Sequence, residues 1–363
     1  MIVSWLAFGC EGPRLPTGGT SGFTLATDPC EVPGNVCRWL GVPGTALLSG
    51  EGTDRSERFA TDGDPGGTFL FLPIDLTLAA DGAAYYPDYN NQRVRMVGTD
   101  DLVTTVAGTG MTGDGPNVTG SAADCWDGCP ALEYLWSHPS RMAVSVTDPS
   151  ILWVAVEGNG RVNVIDVPAA TVFWYAEGLL RPTSVAVAED GTVYVSEMGS
   201  ADIPGSAHVR RISPDGLVEI IASEPDITMP RGLTLDGDLL WIADGEGAVR
   251  WIDVADCASD AAACVVLDVG DGGELGEPTD VAIAPDGGVY VADALNDCVR
   301  IIRHDGTIDP FAGQCGSAGY AGDGGPAIDA LLQDPFGVAV DADGNVYVAD
   351  TGNQIIRRIV PLP

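Results

Sequence analysis

The sequence predicts an all-β chain folded as a six-bladed β-propeller of four-stranded antiparallel blades. Three observations predict it: a segment repeated six times, alternating apolar runs inside each copy, and Asp-Gly turns between those runs. The copies begin at Pro73, Pro139, Pro182, Pro230, Pro278 and Pro335, 43 to 66 residues apart. A unit of this length cannot bury its apolar face alone, so it must stack on its neighbours.

Within each copy the strands follow from local chemistry. Runs such as VAV at 338–340 and VYVAD at 346–350 alternate with period two and are rich in β-branched residues. Asp81-Gly82, Asp190-Gly191, Asp286-Gly287 and Asp343-Gly344 place hairpin turns between such runs. Third strands follow as VRMV, VRRI, VRWI, VRII and IRRI, and fourth strands as in HDGTIDPFAG and GTDDLVTTVAG. The sixth copy has no fourth strand of its own before Pro363. The GTALLSG segment at 44–50 resembles the fourth strands, so residues 45–49 are expected to complete that blade beside 355–360 and close the ring. The earlier CRWLG at 37–41 resembles a third strand and overlaps that role. The expected organisation is a signal remnant at 1–10, a linker at 11–36 and the propeller at 37–363.

Composition excludes several chemistries. The chain has 363 residues, 52 Asp+Glu against 17 Lys+Arg, and a net charge of −35. Every one of the 17 cationic residues is Arg. Without lysine there is no Schiff base, no P-loop lysine and no pyridoxal-phosphate anchor. The negative field argues against nucleic acid as a partner. A hydrophobic share of 45% is enough for a packed core.

Residues 1–10, MIVSWLAFGC, run into a Gly/Thr/Ser/Pro-rich stretch. They resemble the end of a bacterial lipoprotein signal, with Cys10 as the acylated residue. This implies a protein secreted or lipid-anchored at the bacterial cell surface or periplasm, touching membrane only through Cys10. The other eight cysteines fall into sequence-local pairs: Cys30 with Cys37, Cys125 with Cys129, Cys257 with Cys264, and Cys298 with Cys315. Spacing leaves the connectivity open, but each local pair brackets a turn, and disulfides suit an oxidising compartment. Zinc is the rival reading, and no His lies beside any pair.

The run PFGVAVDADGNVYVADTGNQIIR at Pro335–Arg357 and the inter-blade stretch Gly322-Asp323-Gly324-Gly325-Pro326-Ala327 resemble the NHL-repeat family of β-propellers. The resemblance covers roughly residues 37–363 by repeat counting. Residues that recur in every blade read as scaffold. The second-strand aromatic is Tyr85, Trp153, Tyr194, Trp241, Tyr290 or Tyr347, expected to pack between blades. An acid ends that strand in five blades, at Asp88, Glu197, Asp244, Asp293 and Asp350. A third-strand Arg recurs in the same five, at Arg95, Arg210, Arg250, Arg300 and Arg357. Blade 2 has Val156 and Asn163 instead, so the acid and the Arg are expected to be partners across the hairpin.

Function is expected where blades differ. The second position after each proline should face the axis, and it reads Asp75, Arg141, Ser184, Gly232, Asp280 and Gly337, with Arg231 alongside. These residues read either as a small-molecule or cation site or as a solvated rim. Six-bladed calcium-dependent hydrolases and lactonases carry a metal on this axis. By that fold analogy Asp75 and Asp280 would be the ligands, but calcium takes about six to eight oxygens. The NHL-like amidating lyase looks to histidines for zinc, and His138, His208 and His304 occupy three different repeat positions. No G-x-S-x-G elbow is present. The longest inter-blade loop, 109–138, holds Cys125-Trp126-Asp127-Gly128-Cys129 and Trp136. Its two tryptophans form either an exposed patch for sugar or protein, or part of the packing on blade 2. The expectation is a non-enzymatic exported scaffold, monomeric and without cofactor, that binds a protein or glycan through its loop-rich face. Calcium is the one candidate ion. The alternative is a metal-dependent hydrolase, lactonase or lyase with its site on the axis.

Overall fold

Six antiparallel sheets follow one another along the chain in the computed structural model, which describes residues 29–41, 62–63, 68, 70–116, 124–200, 202–269 and 274–360. Blade 1 comprises Thr77–Leu78, Ala84–Asp88, Arg93–Val97 and Val103–Ala107, and blade 2 Pro139–Val144, Ile151–Val156, Arg161–Asp166 and Thr171–Glu177. Blade 3 comprises Pro182–Val187, Val193–Glu197, His208–Ile212 and Val218–Ser223, and blade 4 Pro230–Asp236, Leu239–Asp244, Ala248–Asp253 and Leu267–Val269. Blade 5 is built from Pro278–Ile283, Val289–Asp293, Cys298–Ile302 and Ile308–Ala312. Gly82, Gly191, Gly287 and Gly344 take φ between +83° and +92° in the first hairpins, a conformation that needs no Cβ.

Blade 6 contains Pro335–Val340, Val346–Asp350 and Ile355–Ile359, and its fourth strand is Asn35–Leu40 from the start of the chain. The closing segment therefore differs from the expected 45–49, which lies outside the described residues. The register pairs Val36 with Ile359, Cys37 with Arg358 and Arg38 with Arg357. Side-chain pattern explains the choice. Val36 enters the apolar layer between blades 5 and 6, and Leu40 enters the layer between blades 6 and 1. A Cys30–Cys37 disulfide and an Arg358–Glu31 ion pair of 2.6 Å tie the preceding turn to the same blade. The end of the expected linker, from Pro29, is thus part of the fold.

Six apolar clusters separate the six blades, and each second-strand aromatic belongs to one. Tyr85 packs with blade 2, Trp153 with blade 3, and Tyr194 with blade 4. Trp241 packs with blade 5, Tyr290 with blade 6, and Tyr347 with blade 1. Each fully buried Val or Leu in these layers contributes about 1.5–3 kcal/mol, so the ring is held by many similar interfaces. Two blades gain a short fifth strand: Cys129–Pro130 beside Thr171–Glu177, and Gly325–Pro326 beside Asn35–Leu40. Cys125–Cys129, Cys257–Cys264 and Cys298–Cys315 are also bonded, so all eight cysteines pair locally. Among the described residues no helix is long and apolar enough to cross a membrane.

Candidate functional site

The first strands start, and the second strands end, on the face that carries the inter-blade loops. Just inside that face Asp75, Arg141, Ser184 and Asp280 line one axial cavity of about 220 Å³. Arg231 does not line it. All four lining side chains are buried, none more than 5% exposed.

The reason is an alternation around the ring. Blades 1, 3 and 5 carry an acceptor at this position, and each takes the backbone N–H of the following blade. Met142 N–H donates to Asp75 at 2.9 Å, Leu233 N–H to Ser184 at 3.1 Å, and Val338 N–H to Asp280 at 3.1 Å. Blades 4 and 6 carry glycine because the next blade comes too close for a Cβ. At Gly232 a Cβ would collide with Asp280, and at Gly337 it would lie 2.7 Å from the Ile74 carbonyl. Blade 2 breaks the alternation with Arg141. Its guanidinium donates to the Phe336 carbonyl at 2.8 Å and sits 3.5 Å from the Asp280 carboxylate.

Two buried carboxylates thus share one guanidinium. Burial pushes Asp280 up to about 7, against the pull of Arg141 and with a further push from Asp75. Burial also raises Asp75, which Arg141 and the N–H groups of Met142 and Leu76 partly offset. Beyond this charged layer the cavity is lined by Thr77, Thr234, Leu78, Ile283 and Val340. Among the described residues no group of three or more His, Cys, Asp or Glu could hold a metal ion.

Arg231 lies beside the axis. It pairs with Glu277 and stands 5.7 Å from the centre of the Phe336 ring. The three histidines are apart. His138 stacks on Tyr89 with ring centres 4.8 Å apart, His208 is 3.7 Å from Glu197, and His304 is 3.0 Å from the Asp286 carbonyl.

The two tryptophans of the long loop have opposite fates. Trp136 is fully buried, so it takes the packing alternative and leaves the candidate binding patch. It packs on Tyr134 and over Gly108, where a Cβ would lie 2.6 Å from its ring. Trp126 is 45% exposed and meets Trp174 edge-on, with ring centres 5.8 Å apart. The Arg161 guanidinium lies 3.5 Å from the centre of the Trp174 ring, near enough for a cation–π contact. The Cys125–Cys129 bond holds Trp126 in place, and Gly128 at φ +98° permits the turn, since a Cβ there would lie 2.7 Å from Phe173.

The recurrent acid and Arg are partners in all five blades that carry them. Arg95–Asp88 is 3.5 Å, Arg300–Asp293 3.4 Å and Arg357–Asp350 3.6 Å, and Arg210–Glu197 and Arg250–Asp244 are closer contacts. The acid also accepts backbone N–H groups from the loop ahead of its blade, such as Phe71 to Asp88 at 2.9 Å and Gln333 to Asp350 at 2.8 Å. The pair is therefore scaffold.

The NHL repeat family model matches residues 332–358, which are the lead-in loop and first three strands of blade 6. The chain is a six-bladed propeller that carries an NHL repeat. Teneurin-m of Drosophila melanogaster is 24% identical over 314 residues, 77% of this chain and 10% of that protein. The propeller thus spans about a tenth of that curated relative's length. Among solved structures, an auxiliary nutrient binding protein from Bacteroides thetaiotaomicron superposes with TM-score 0.63 at 14% identity, covering 89% of this chain and 75% of that one. A gluconolactonase from Xanthomonas campestris superposes with TM-score 0.56 at 14% identity, covering 81% and 87%. At these identities the structural likeness is one of fold.

The propeller holds features that its sequence does not announce. Hydroxyls one residue ahead of the axial position bridge blades: Ser140 donates to the Thr183 carbonyl at 2.9 Å, and Thr183 to the Pro230 carbonyl at 3.0 Å. In blade 2 Tyr134 fills the space of the lost ion pair, accepting from Asn163 at 3.0 Å and from Trp174 at 2.8 Å. The signal for the hydroxyls was present as Ser140, Thr183 and Thr279 at one repeat position. Tyr134 gave none, because the matching lead-in of blade 6 carries Ala330 at its place.

Proposed function

We propose that this chain is an exported, non-enzymatic scaffold that binds a protein or glycan through its loop-rich face. Trp126 is its main contact residue. One observation carries the reading: the polar groups on the axis are already engaged by the fold. Asp75 and Asp280 each accept a neighbouring blade's N–H, Ser184 does the same, and Arg141 forms an ion pair with Asp280. A calcium ion would have to displace or tolerate a permanent cation 3.5 Å from Asp280, with two carboxylates in place of a full oxygen shell. The residues present do not fit that ion. Trp126 offers what the axis lacks, a large exposed aromatic face held rigidly by a disulfide. Four disulfides are compatible with an oxidising compartment. Export is part of the proposal, and so is anchoring at Cys10, which lies outside the described residues.

Calcium-titration calorimetry on the whole chain, beside an Asp75→Ala/Asp280→Ala variant, separates this from the hydrolase reading. Equal, diffuse heats in both are expected, because a −35 chain attracts cations everywhere. A saturable site present in the native chain and lost in the variant would overturn the scaffold reading. A glycan array and a panel of cell-surface ectodomains, probed with native chain and Trp126→Ala, test the binding face. The expected result is a signal at least tenfold weaker in the variant.

A further inference from the structure

The outer strand of a propeller blade presents unpaired N–H and C=O groups, a template for another strand. Among the described residues, three of the six outer edges are covered by the chain itself and two more are blunted by length, charge or proline. Gly63 exchanges backbone hydrogen bonds of 2.9 and 2.8 Å with Val103 on blade 1. Cys129–Pro130 covers blade 2, and Gly325–Pro326 covers blade 6. Among the described residues the outer strand of blade 4 is three residues long, and that of blade 5 contains Asp309 and Pro310. Short strands, charges and prolines are the usual ways to blunt an edge.

Blade 3 has no covering strand and no proline, and its one charge, Glu219, is turned to Arg211 on the face away from Val218 and Ile220. Its outer strand Val218–Ser223 runs six residues without proline and is last in its sheet. Among the described residues, 218–222 make no backbone hydrogen bond outside that sheet. Val218 and Ile220 share one face of the strand and are 47% and 43% exposed, with Leu217 at 56% beside them. The other face is occupied: Ile221 packs with blade 4, and Glu219 pairs with Arg211 at 2.7 Å.

The surroundings select the occupant. Asp215, Glu224 and Asp226 are exposed next to the strand, as are Asp256 and Asp260 on the stapled loop packed against it. No cationic residue occurs in 213–226 or 253–268. A second copy of the chain would set two acidic edges together, against a charge of −35 on each.

We propose that the outer edge of blade 3 is a docking site for an extended, cationic segment of a partner protein, which adds a strand alongside Val218–Ser223. Backbone pairing supplies the affinity, alternate apolar side chains cover Val218 and Ile220, and Lys or Arg at the flanks meets Asp215, Glu224 and Asp226. The site is separate from the loop-rich face, so it stands or falls independently of the glycan or protein contact at Trp126.

The probe is a synthetic peptide of alternating Val and Thr with Lys at both ends, added to the whole chain and followed by amide hydrogen exchange. The expected result is saturable one-to-one binding, weakened by salt, that slows the outward-pointing amides of 218–222 by tenfold or more. Ile220→Lys and, separately, Val218→Lys should lose that protection while unfolding at the same denaturant concentration as the native chain. A Glu-flanked peptide should not bind. The proposal is overturned by no binding of the Lys-flanked peptide, by protection elsewhere, or by equal binding to the Lys variants. It is also overturned if the outward amides are already slow in the free chain, which would mark an occupant from this chain, or if the free chain self-associates through this edge.

Discussion

In blade 6 the loop leading into the first strand is held by a charged pair. Asp350 accepts from the Gln333 N–H at 2.8 Å and from Asn353, while Arg357 reaches the Leu331 and Ala321 carbonyls and Asp323. In blade 2 the same loop is held by neutral groups. The Ser137 N–H donates to Asn159 at 3.0 Å, Val156 stands where the acid would be, and Asn163 donates to Tyr134. Both arrangements satisfy the buried backbone at the top of the blade, so the acid–Arg pair is one solution and is not required by the fold. Blade 2 lacks it where its lead-in insertion puts Tyr134 at the place that blade 6 gives to Ala330. That insertion also exposes Trp126. The scaffold motif is therefore weakest beside the surface most suited to recognition.

Breaking the charged side of this comparison should cost most. Arg357→Met leaves Asp350 without its cation and two carbonyls without a donor, so a loss of about 3–5 kcal/mol in urea unfolding at pH 8 is expected. The loss should shrink at pH 5. Burial pushes Asp350 up to about 7 from an ordinary 3.8, so between those values the folded chain holds a proton that the unfolded chain has released. Folding then takes up a proton, and stability rises as pH falls from 8 to 5. Asp280 acts in the same direction. Asp350→Asn should flatten the pH dependence in part, and a stability that instead climbs from pH 5 to 8 would refute the assignment. Cys30→Ala/Cys37→Ala, which frees the closing strand of blade 6, should cost about 2–3 kcal/mol by the same measurement. On the neutral side, Tyr134→Phe strands the Asn163 and Trp174 donors and should cost about 1–3 kcal/mol, with little change between pH 5 and 8.

The same contrast shows what the sequence could reveal. Blade 6 was legible because its Asp-Gly turn, period-two strands and Asp350–Arg357 spacing repeat elsewhere in the chain. The axial residues were legible for the same reason, since Asp75, Arg141, Ser184 and Asp280 share one repeat position and do converge on one cavity. Their burial was not legible. It depends on how closely blade 4 approaches blade 5, and blade 6 approaches blade 1, at Gly232 and Gly337, and one strand says nothing of that distance. The closing strand was misplaced because 45–49 matched the fourth strands in composition. The closing strand is Asn35–Leu40, whose Val36 and Leu40 fit two apolar layers on opposite sides of the blade. In the 109–138 loop, spacing alone could not separate Trp126 from Trp136. Trp136 is buried because Gly108 opens a space for its ring.

The smallest expected effect on stability is also the sharpest on function. Trp126 is 45% exposed and meets Trp174 edge-on, while Arg161 and Tyr134 hold Trp174 from other sides. Removing the Trp126 ring leaves that frame intact and opens no cavity, so Trp126→Ala should change the unfolding free energy by no more than about 0.5 kcal/mol. Trp174→Ala should cost several times more, because it removes the surface on which Arg161 lies and one of the two donors to the Tyr134 hydroxyl. If Trp126 were part of the packing, the two variants would destabilise alike. If it is there to be touched, Trp126→Ala keeps its native melting curve and loses its partner, whereas Trp174→Ala weakens both. Paired unfolding and binding curves on the two variants distinguish these outcomes.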